Sequence, residues 1–486
     1  MGAWTVVYLG GYALSSLGGG YAMDAIGSRQ AFMIVGAAGM AGGLLFYLLH
    51  RSHVYRAVSL SRTTRSGPPD SSLEVSLKPP VVGLEGSDRC EHSSTGTAPA
   101  GGYHGSSGRH QRASNRHCPE VPCQTVETPT VDLFQPCTLG RLESRNRFVR
   151  SATTSGHANE HGIVGPEIIK RYADLAQGGI GLIIKGHLYV DPKGKAHSGM
   201  AGISSNKHIP ALTMLTAAVH SHSGRILAQI NHAGCRAAAG ERMGPSSLKT
   251  PAWCAGAMDV REISRVVWAF GEAAERCVHS GFDGVQIHAA HGYLVSQFLS
   301  KYANRRTDDW GGDLANRMRL LREIYLEMRT RLGDGAVIGV KLNCDDFSRD
   351  GFTIDESAQV AEELSHLGVD FIEVSGGGLG MEAQYQARAR SRDLTLSEAS
   401  FGGHCEAIRE ATRPTPLALV DGLASLAGMQ AVVDKGLADL VSLSRPFIRE
   451  PDLVKRLSAG QQEAKCIRCG GCSDILGEEM TRCVLI

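Results

Sequence analysis

From residue 131 onward, short runs of β-branched and aliphatic residues alternate with longer stretches in which apolar positions recur every three or four residues. Eight runs read as strands: RFVRSA from 147, GLIIKG from 181, ILAQIN from 226, GVQIHA from 284, VIGVKLN from 337, FIEVSG from 371, LALVDG from 417 and LVSLS from 440. Continuous rather than alternating apolar runs suit a parallel sheet buried on both faces. Eight such strand units, most of them separated by helical stretches, predict a closed α/β barrel, the (β/α)8 TIM barrel, over an open sheet. Helix-start signals agree. Asp259 with Glu262 and Thr353 with Glu356 stand at the spacing of a capping box. Between them Ile263, Val266, Val267, Phe270, Ala274, Cys277 and Val278 predict one buried stripe.

Residues 4–50 break this pattern. Ala31 to Leu49 is an uncharged run of 19 residues, enough to cross a ~30 Å hydrocarbon core as a helix. Trp4 to Met23 is a second uncharged, glycine-rich run, and Arg51, Arg56, Arg62 and Arg65 follow the pair. This predicts two transmembrane helices within residues 1–56, with the tail and barrel on the cytoplasmic side; without them the chain is expected to be cytoplasmic. Gly20, Asp24, Gly27 and Arg29 in the connecting stretch resemble the inter-helix loops of major facilitator transporters. Two helices make no transport path, so a membrane anchor or a fused fragment is the better reading. Residues 57–128 are crowded with Ser, Gly, Pro and Thr and predict a disordered linker. His117, Cys118 and Cys123 lie there without a second ligand pair at a zinc-like spacing. The barrel then spans 129–465, and a cysteine-rich tail 466–486.

Charge and cysteine content narrow the class. With 50 Lys+Arg against 49 Asp+Glu the formal charge is +1, which argues against a nucleic-acid partner. The 13 cysteines form no evenly spaced framework and suit a reducing compartment.

In a barrel of this kind reactive groups lie at the carboxyl ends of strands. Those ends carry Ser151, Ala152, Thr153 and Thr154, then Gln229 and His232, then His288, His291 and Tyr293, then Lys341 and Asn343, and lastly Ser444 and Arg445. Two imidazoles can stabilise negative charge on a carbonyl oxygen and a phenol can deliver a proton, although a pair of satisfied core histidines is an equal reading. Lys341 sits inside an apolar run, where burial without a partner is costly; it is expected at the barrel mouth beside an anion or an electron-rich ring, or paired with Asp345 or Asp346. Glycines at successive strand ends, Gly376 to Gly378 and Gly422, together with Ser444 and Arg445, supply the free amides and the cation that a phosphate needs.

The segment IHAAHGYLVSQFLSKYANRRTDDWGGDLANR, Ile287 to Arg317, resembles the signature of the Old Yellow Enzyme family of NAD(P)H-dependent FMN oxidoreductases, and the other strand motifs extend the match over about residues 131–486. The resemblance implies FMN at the barrel mouth. It places Ala152, Thr153 and Thr154 beside the flavin, Gln229 on its pyrimidine edge, Lys341 near N1 and O2 where many members have Arg, and Gly377, Gly422, Ser444 and Arg445 around the ring or phosphate. His288 and His291 match the paired donors that grip a substrate carbonyl, and Tyr293 matches the proton donor. NAD(P)H is the implied hydride donor and an electron-poor alkene, such as an enone, the small-molecule partner, in a ping-pong reaction. Arg306, Asp308 and Arg317 are expected to fix the loop rather than touch substrate. Asp421 and Ser444 stand where related sequences often have glycine.

Cys466, Cys469, Cys472 and Cys483 read C-x2-C-x2-C-x10-C. They resemble the [4Fe-4S] segment of the dienoyl-CoA reductase branch, one residue short in both later gaps and without the large domain that follows there. A reduced tail with no metal is the expectation. An inert or merely flavin-binding barrel joined to a carrier fragment is the alternative from another class.

Overall fold

The computed structural model describes residues 131–238, 240–250, 254–381, 398–420, 422–474 and 480–486. Within them, β1 (Phe148–Thr153), β2 (Leu182–Tyr189), β3 (Arg225–Asn231), β4 (Gly284–Ala289), β5 (Val337–Asn343), β6 (Phe371–Ser375), β7 (Leu417–Val420) and β8 (Leu440–Leu443) each pair in parallel with the next. Strand β8 pairs with β1 and closes the barrel. After the strands come, in turn, α1 (Pro166–Gln177), α2 (Ile209–His220), α3 (Val260–His279), α4 (Arg319–Leu332), α5 (Ile354–His366), α6 (Gly402–Thr412), α7 (Leu426–Asp434) and α8 (Leu453–Ser458). The eight predicted strands and the barrel class therefore hold. The predicted membrane helices, the linker with His117, Cys118 and Cys123, and Asp421 lie outside the described residues. Among the described residues no helix is long and apolar enough to cross a membrane.

Each strand serves two cores. One set of positions, such as Ile226, Ala228 and Ile230 on β3 or Ile338, Val340 and Leu342 on β5, packs outward against the helices. The alternate set fills the bore. Val149, Leu182, Leu227, Val337, Phe371, Ala418 and Leu440 form its lower layer, and Leu139 and Leu142 of an antiparallel hairpin (Cys137–Leu139, Leu142–Ser144) plug the amino-terminal end. A Cβ at Gly339 would collide with the Phe371 ring, so that position must lack a side chain. Higher in the bore the same alternation brings polar residues, and these build the site.

Helix α3 starts as read: the Asp259 carboxylate accepts from the Glu262 amide (2.7 Å) and Glu262 accepts from the Asp259 amide (2.9 Å). Ile263, Val266, Phe270, Ala274 and Cys277 are buried, whereas Val278 is 38 % exposed, because the stripe of a 3.6-residue helix drifts away from it. The second box is only half made. Thr353 accepts from the Glu356 amide, but the Glu356 carboxylate turns to Arg317 (2.6 Å) and Lys301 (2.7 Å). A buried guanidinium is the stronger partner.

Candidate active site

The upper bore holds one hydrogen-bonded polar layer. Gln229 Nε2 donates to Gln286 Oε1 (2.7 Å), Gln286 Nε2 to Glu373 Oε2 (2.9 Å), and Ser442 Oγ to Glu373 Oε1 (2.6 Å). Lys341 Nζ donates to Ser151 Oγ (2.7 Å), from β5 straight across the barrel to β1, and lies 3.4 Å from Glu373 Oε1. All six residues are buried. The anion beside Lys341 is thus the Glu373 carboxylate, not Asp345 or Asp346. Asp345 accepts from the Phe347 amide, and Asp346 from Asn343 and the Phe352 amide. Burial alone would raise the Glu373 pKa, but the Lys341 charge and the bonds from Ser442, Gln286 and Ser151 hold it below the ordinary value. For Lys341 burial wins, and its pKa is lowered despite Glu373.

Strand β4 lifts a second set above this layer. His288 pairs in register with Lys341 and is buried; its ring lies 5.1 Å from His291 and 5.0 Å from Tyr293. His291 sits at φ +60°, in the left-handed region, followed by Gly292 at φ +67°. A non-glycine residue there costs of order 1–3 kcal/mol and persists only where its surroundings hold it. They do: its amide donates to Asn343 Oδ1 (3.1 Å), its carbonyl accepts from Arg236 Nη1 (2.8 Å), and its Nε2 meets Ser375 Oγ at 2.7 Å. The turn thus brings the His291 ring edge-on to that of His288. Burial pushes the His291 pKa down to about 3 and holds His288 well below the ordinary range. Both imidazoles are therefore neutral N–H donors at physiological pH. Burial also raises the Tyr293 pKa, against the Arg236 guanidinium 5.3 Å over its ring, so the phenol stays protonated.

On the opposite rim Ala152, Thr153 and Thr154 are half-buried at the end of β1. Thr153 Oγ1 meets Ser444 Oγ at 2.8 Å, and the Ser444 carbonyl accepts from the buried Arg150. Gly422 has φ +55°, and its carbonyl accepts from Arg468 (3.3 Å). The expectation of free amides fails after β6: Gly377 N–H is given to Asp345 O (2.8 Å) and Gly378 N–H to Asp346 O (3.2 Å). Those glycines make room instead, since a Cβ on Gly377 would strike Met381 and one on Gly378 the Asp346 carboxylate.

Arg445 lines a small cavity of about 20 Å³ with Cys466, Cys469, Cys472 and Cys483, so the tail folds back beside Arg445. That is room for about one water. Burial raises the pKa of Cys466 and Cys472. Among the described residues no group of three or more His, Cys, Asp or Glu is placed to hold a metal ion. The donor type suits a cluster; the geometry does not.

The long loop after β4 is architectural, as expected. Arg306 donates to Pro245 O, Met258 O and Asp308, and the buried Arg317 to Glu356 and Leu299 O. Asn343 and His232 are structural too: Asn343 bonds Asp346 and Gly377 O, and His232 accepts from the Gly234 amide. The residues missed in the sequence are Gln286 and Glu373 in the bore and His187, His197 and Arg236 at the mouth. A period-two signal existed for the first two: Gln286 and His288, Glu373 and Ser375, and Lys341 and Asn343 are polar pairs two apart at the carboxyl halves of apolar strands.

A closed parallel barrel with a polar upper bore and a cluster of buried histidines at its mouth places the chain in the (β/α)8 class. The model of the NADH:flavin oxidoreductase / NADH oxidase family matches residues 132–464, and the chain belongs to that family. It is 33% identical over 333 residues to an NADPH dehydrogenase of Bacillus pumilus, covering 66% of this chain and 93% of that protein. It is 31% identical over 353 residues to an NADH oxidase of Thermoanaerobacter brockii, covering 70% of this chain and 53% of that one, so it spans only about half that relative's length. Among solved structures, the old yellow enzyme homologue from Zymomonas mobilis superposes with a TM-score of 0.60 at 27% identity, covering 70% of this chain and 96% of the other. The resemblance read from the strand motifs is thereby shown.

Proposed function

We propose that the chain is an FMN-dependent NAD(P)H oxidoreductase of Old Yellow Enzyme type that reduces the activated C=C bond of α,β-unsaturated carbonyl compounds by ping-pong hydride transfer. The observation that carries this reading is the convergence of His291 and Tyr293 on His288, at 5.1 and 5.0 Å between ring centres, above the layer of Gln229 and Lys341. The residues suit FMN. His288 Nδ1 is a buried nitrogen without a partner at the mouth, Gln229 and Lys341 would meet the pyrimidine edge, Ala152, Thr153 and Thr154 would border the ring, and Gly422, Ser444 and Arg445 would hold the phosphate.

When bound, FMN supplies the hydride chemistry, accepting hydride from NAD(P)H and passing it to the β-carbon of the alkene. His288 and His291 donate to the substrate carbonyl oxygen and stabilise the charge that develops on it; being neutral already, they require no proton uptake. Tyr293 delivers the proton to the α-carbon. The full chain, purified and titrated anaerobically, should be yellow, bleach with NAD(P)H and regain colour with an enone. Colourless protein that takes up no FMN would instead favour the inert barrel joined to a carrier fragment.

One observation favours a second reading, a dienoyl-CoA-reductase-like enzyme with a [4Fe-4S] cluster: all four tail cysteines line one cavity. Four thiolates are the ligand set such a cluster needs, but the cavity that the four cysteines line is small, about 20 Å³. Iron and acid-labile sulfide below 0.1 per chain are expected; about four of each would establish the cluster.

A further inference from the structure

We propose that His187 is a third imidazole of the acceptor site, and that the acceptor carries a carboxylate in addition to its activated carbonyl. This rests on the function proposed above and names its substrate class. The side chain reaches the mouth for a local reason. Strand β2 slips register against β1 between Ile183 and Lys185 and carries one extra residue against β3 between Lys185 and Leu188, and Gly186 presses against the Thr153 backbone with no room for a Cβ. Such an irregularity re-aims the next side chain. The His187 ring lies 5.8 Å from His288, 5.2 Å from Tyr293 and 6.2 Å from His197.

Asn231 Nδ2 donates to His187 Nδ1 (3.0 Å), which puts the proton of the neutral ring on Nε2. That N–H is buried without a partner, in a residue only 5 % exposed. A buried donor left this way is destabilising, a penalty that a ligand oxygen would relieve. The surrounding field states the sign of that ligand. The cationic side chains acting on this cluster are Arg236, on His187, His288, His291 and Tyr293, and Lys195, on His197, together with Lys341, which Glu373 offsets, and Lys185, whose pKa burial lowers to about 7. Lys185 is wholly buried; its ammonium donates to the Gly186 carbonyl (2.7 Å) and lies 5.5 Å from the centre of the Tyr172 ring. The Glu373 carboxylate is committed to Lys341 inside the bore, and Asp191 caps the turn at Lys193. A wall of N–H donors and cations favours an anion. His288 and His291 would then hold the carbonyl oxygen, while His187, with Arg236 at the rim, takes the carboxylate.

The probe is (E)-4-oxopent-2-enoate against its methyl ester, which share one enone and differ in charge. In the full-length enzyme the acid should show at least tenfold higher kcat/KM, expressed in KM. His187→Leu should lower the acid-to-ester ratio by about tenfold to a hundredfold, the loss of one hydrogen bond to a charged group. His187→Gln, which can keep a donor there, should restore part of it. Binding of saturated 4-oxopentanoate and its methyl ester, by calorimetry, gives the same ratio without turnover. Equal constants for acid and ester, or a ratio unchanged in His187→Leu, would overturn the proposal. Failure to reduce either alkene, with acid-selective binding intact, would count against the ene-reductase reading alone.

Discussion

Replacing Glu373 with Gln is expected to destabilise the fold by about 3–5 kcal/mol, because it strands the Lys341 ammonium inside the barrel bore. The lysine has a hydroxyl at 2.7 Å and this carboxylate at 3.4 Å, and both it and Glu373 are almost wholly out of solvent. Lys341→Met should cost a similar amount by stranding the carboxylate. The double variant Lys341→Met/Glu373→Gln should recover most of the loss, since no uncompensated charge remains. The signs with pH differ for the two partners. Glu373, with its pKa depressed in the fold, contributes stability above its unfolded value that is lost as pH falls through the folded one. Lys341, also depressed, makes stability rise with pH between its folded and unfolded values. Urea unfolding of the four proteins measures the cycle. A Glu373→Gln cost below about 1 kcal/mol, or additive single changes, would show that the pair is not coupled.

Tyr293→Phe is expected to slow alkene reduction by about 10²- to 10⁴-fold, the usual contribution of a positioned general acid, while flavin reduction by NAD(P)H stays within a few-fold. The ring lies beside His288 and beneath the Arg236 guanidinium, and burial keeps its hydroxyl protonated. Stopped-flow measurement of the two half-reactions separates the effects. Equal losses in both would remove Tyr293 from the acid role and make it a packing residue. Because burial holds His288 and His291 far below neutrality, neither half-reaction should show a histidine titration near pH 6.5.

The barrel was legible because its information is local. Each strand is an unbroken apolar run between turn signals, and eight of them closed as counted. The strand-four turn was legible for the same reason: His288, His291 and Tyr293 lie within six residues, so a single bend brings them together. Partners drawn from opposite strands were not. Lys341 finds Ser151 from 190 residues away, and Ser442 finds Glu373 from 69; sequence proximity pointed instead to Asp345 and Asp346. The glycines after β6 misled in another way. Their richness suggested amides offered to phosphate, but the β5 to α5 loop accepts two of those N–H groups through its backbone carbonyls.

By itself the sequence determined the number of strands, the buried stripe of α3, where each strand ends and which chemical groups stand at those ends, because apolar periodicity and turn residues act over a few positions. Only the tertiary structure decided the pairing of Lys341 with Glu373, the arrival of His187 beside the β4 histidines and the gathering of the four tail cysteines. Those depend on barrel closure, on a register slip in β2 and on a chain that returns to its own rim. Each is set by hydrogen bonds and packing between residues distant along the chain, which no local pattern encodes.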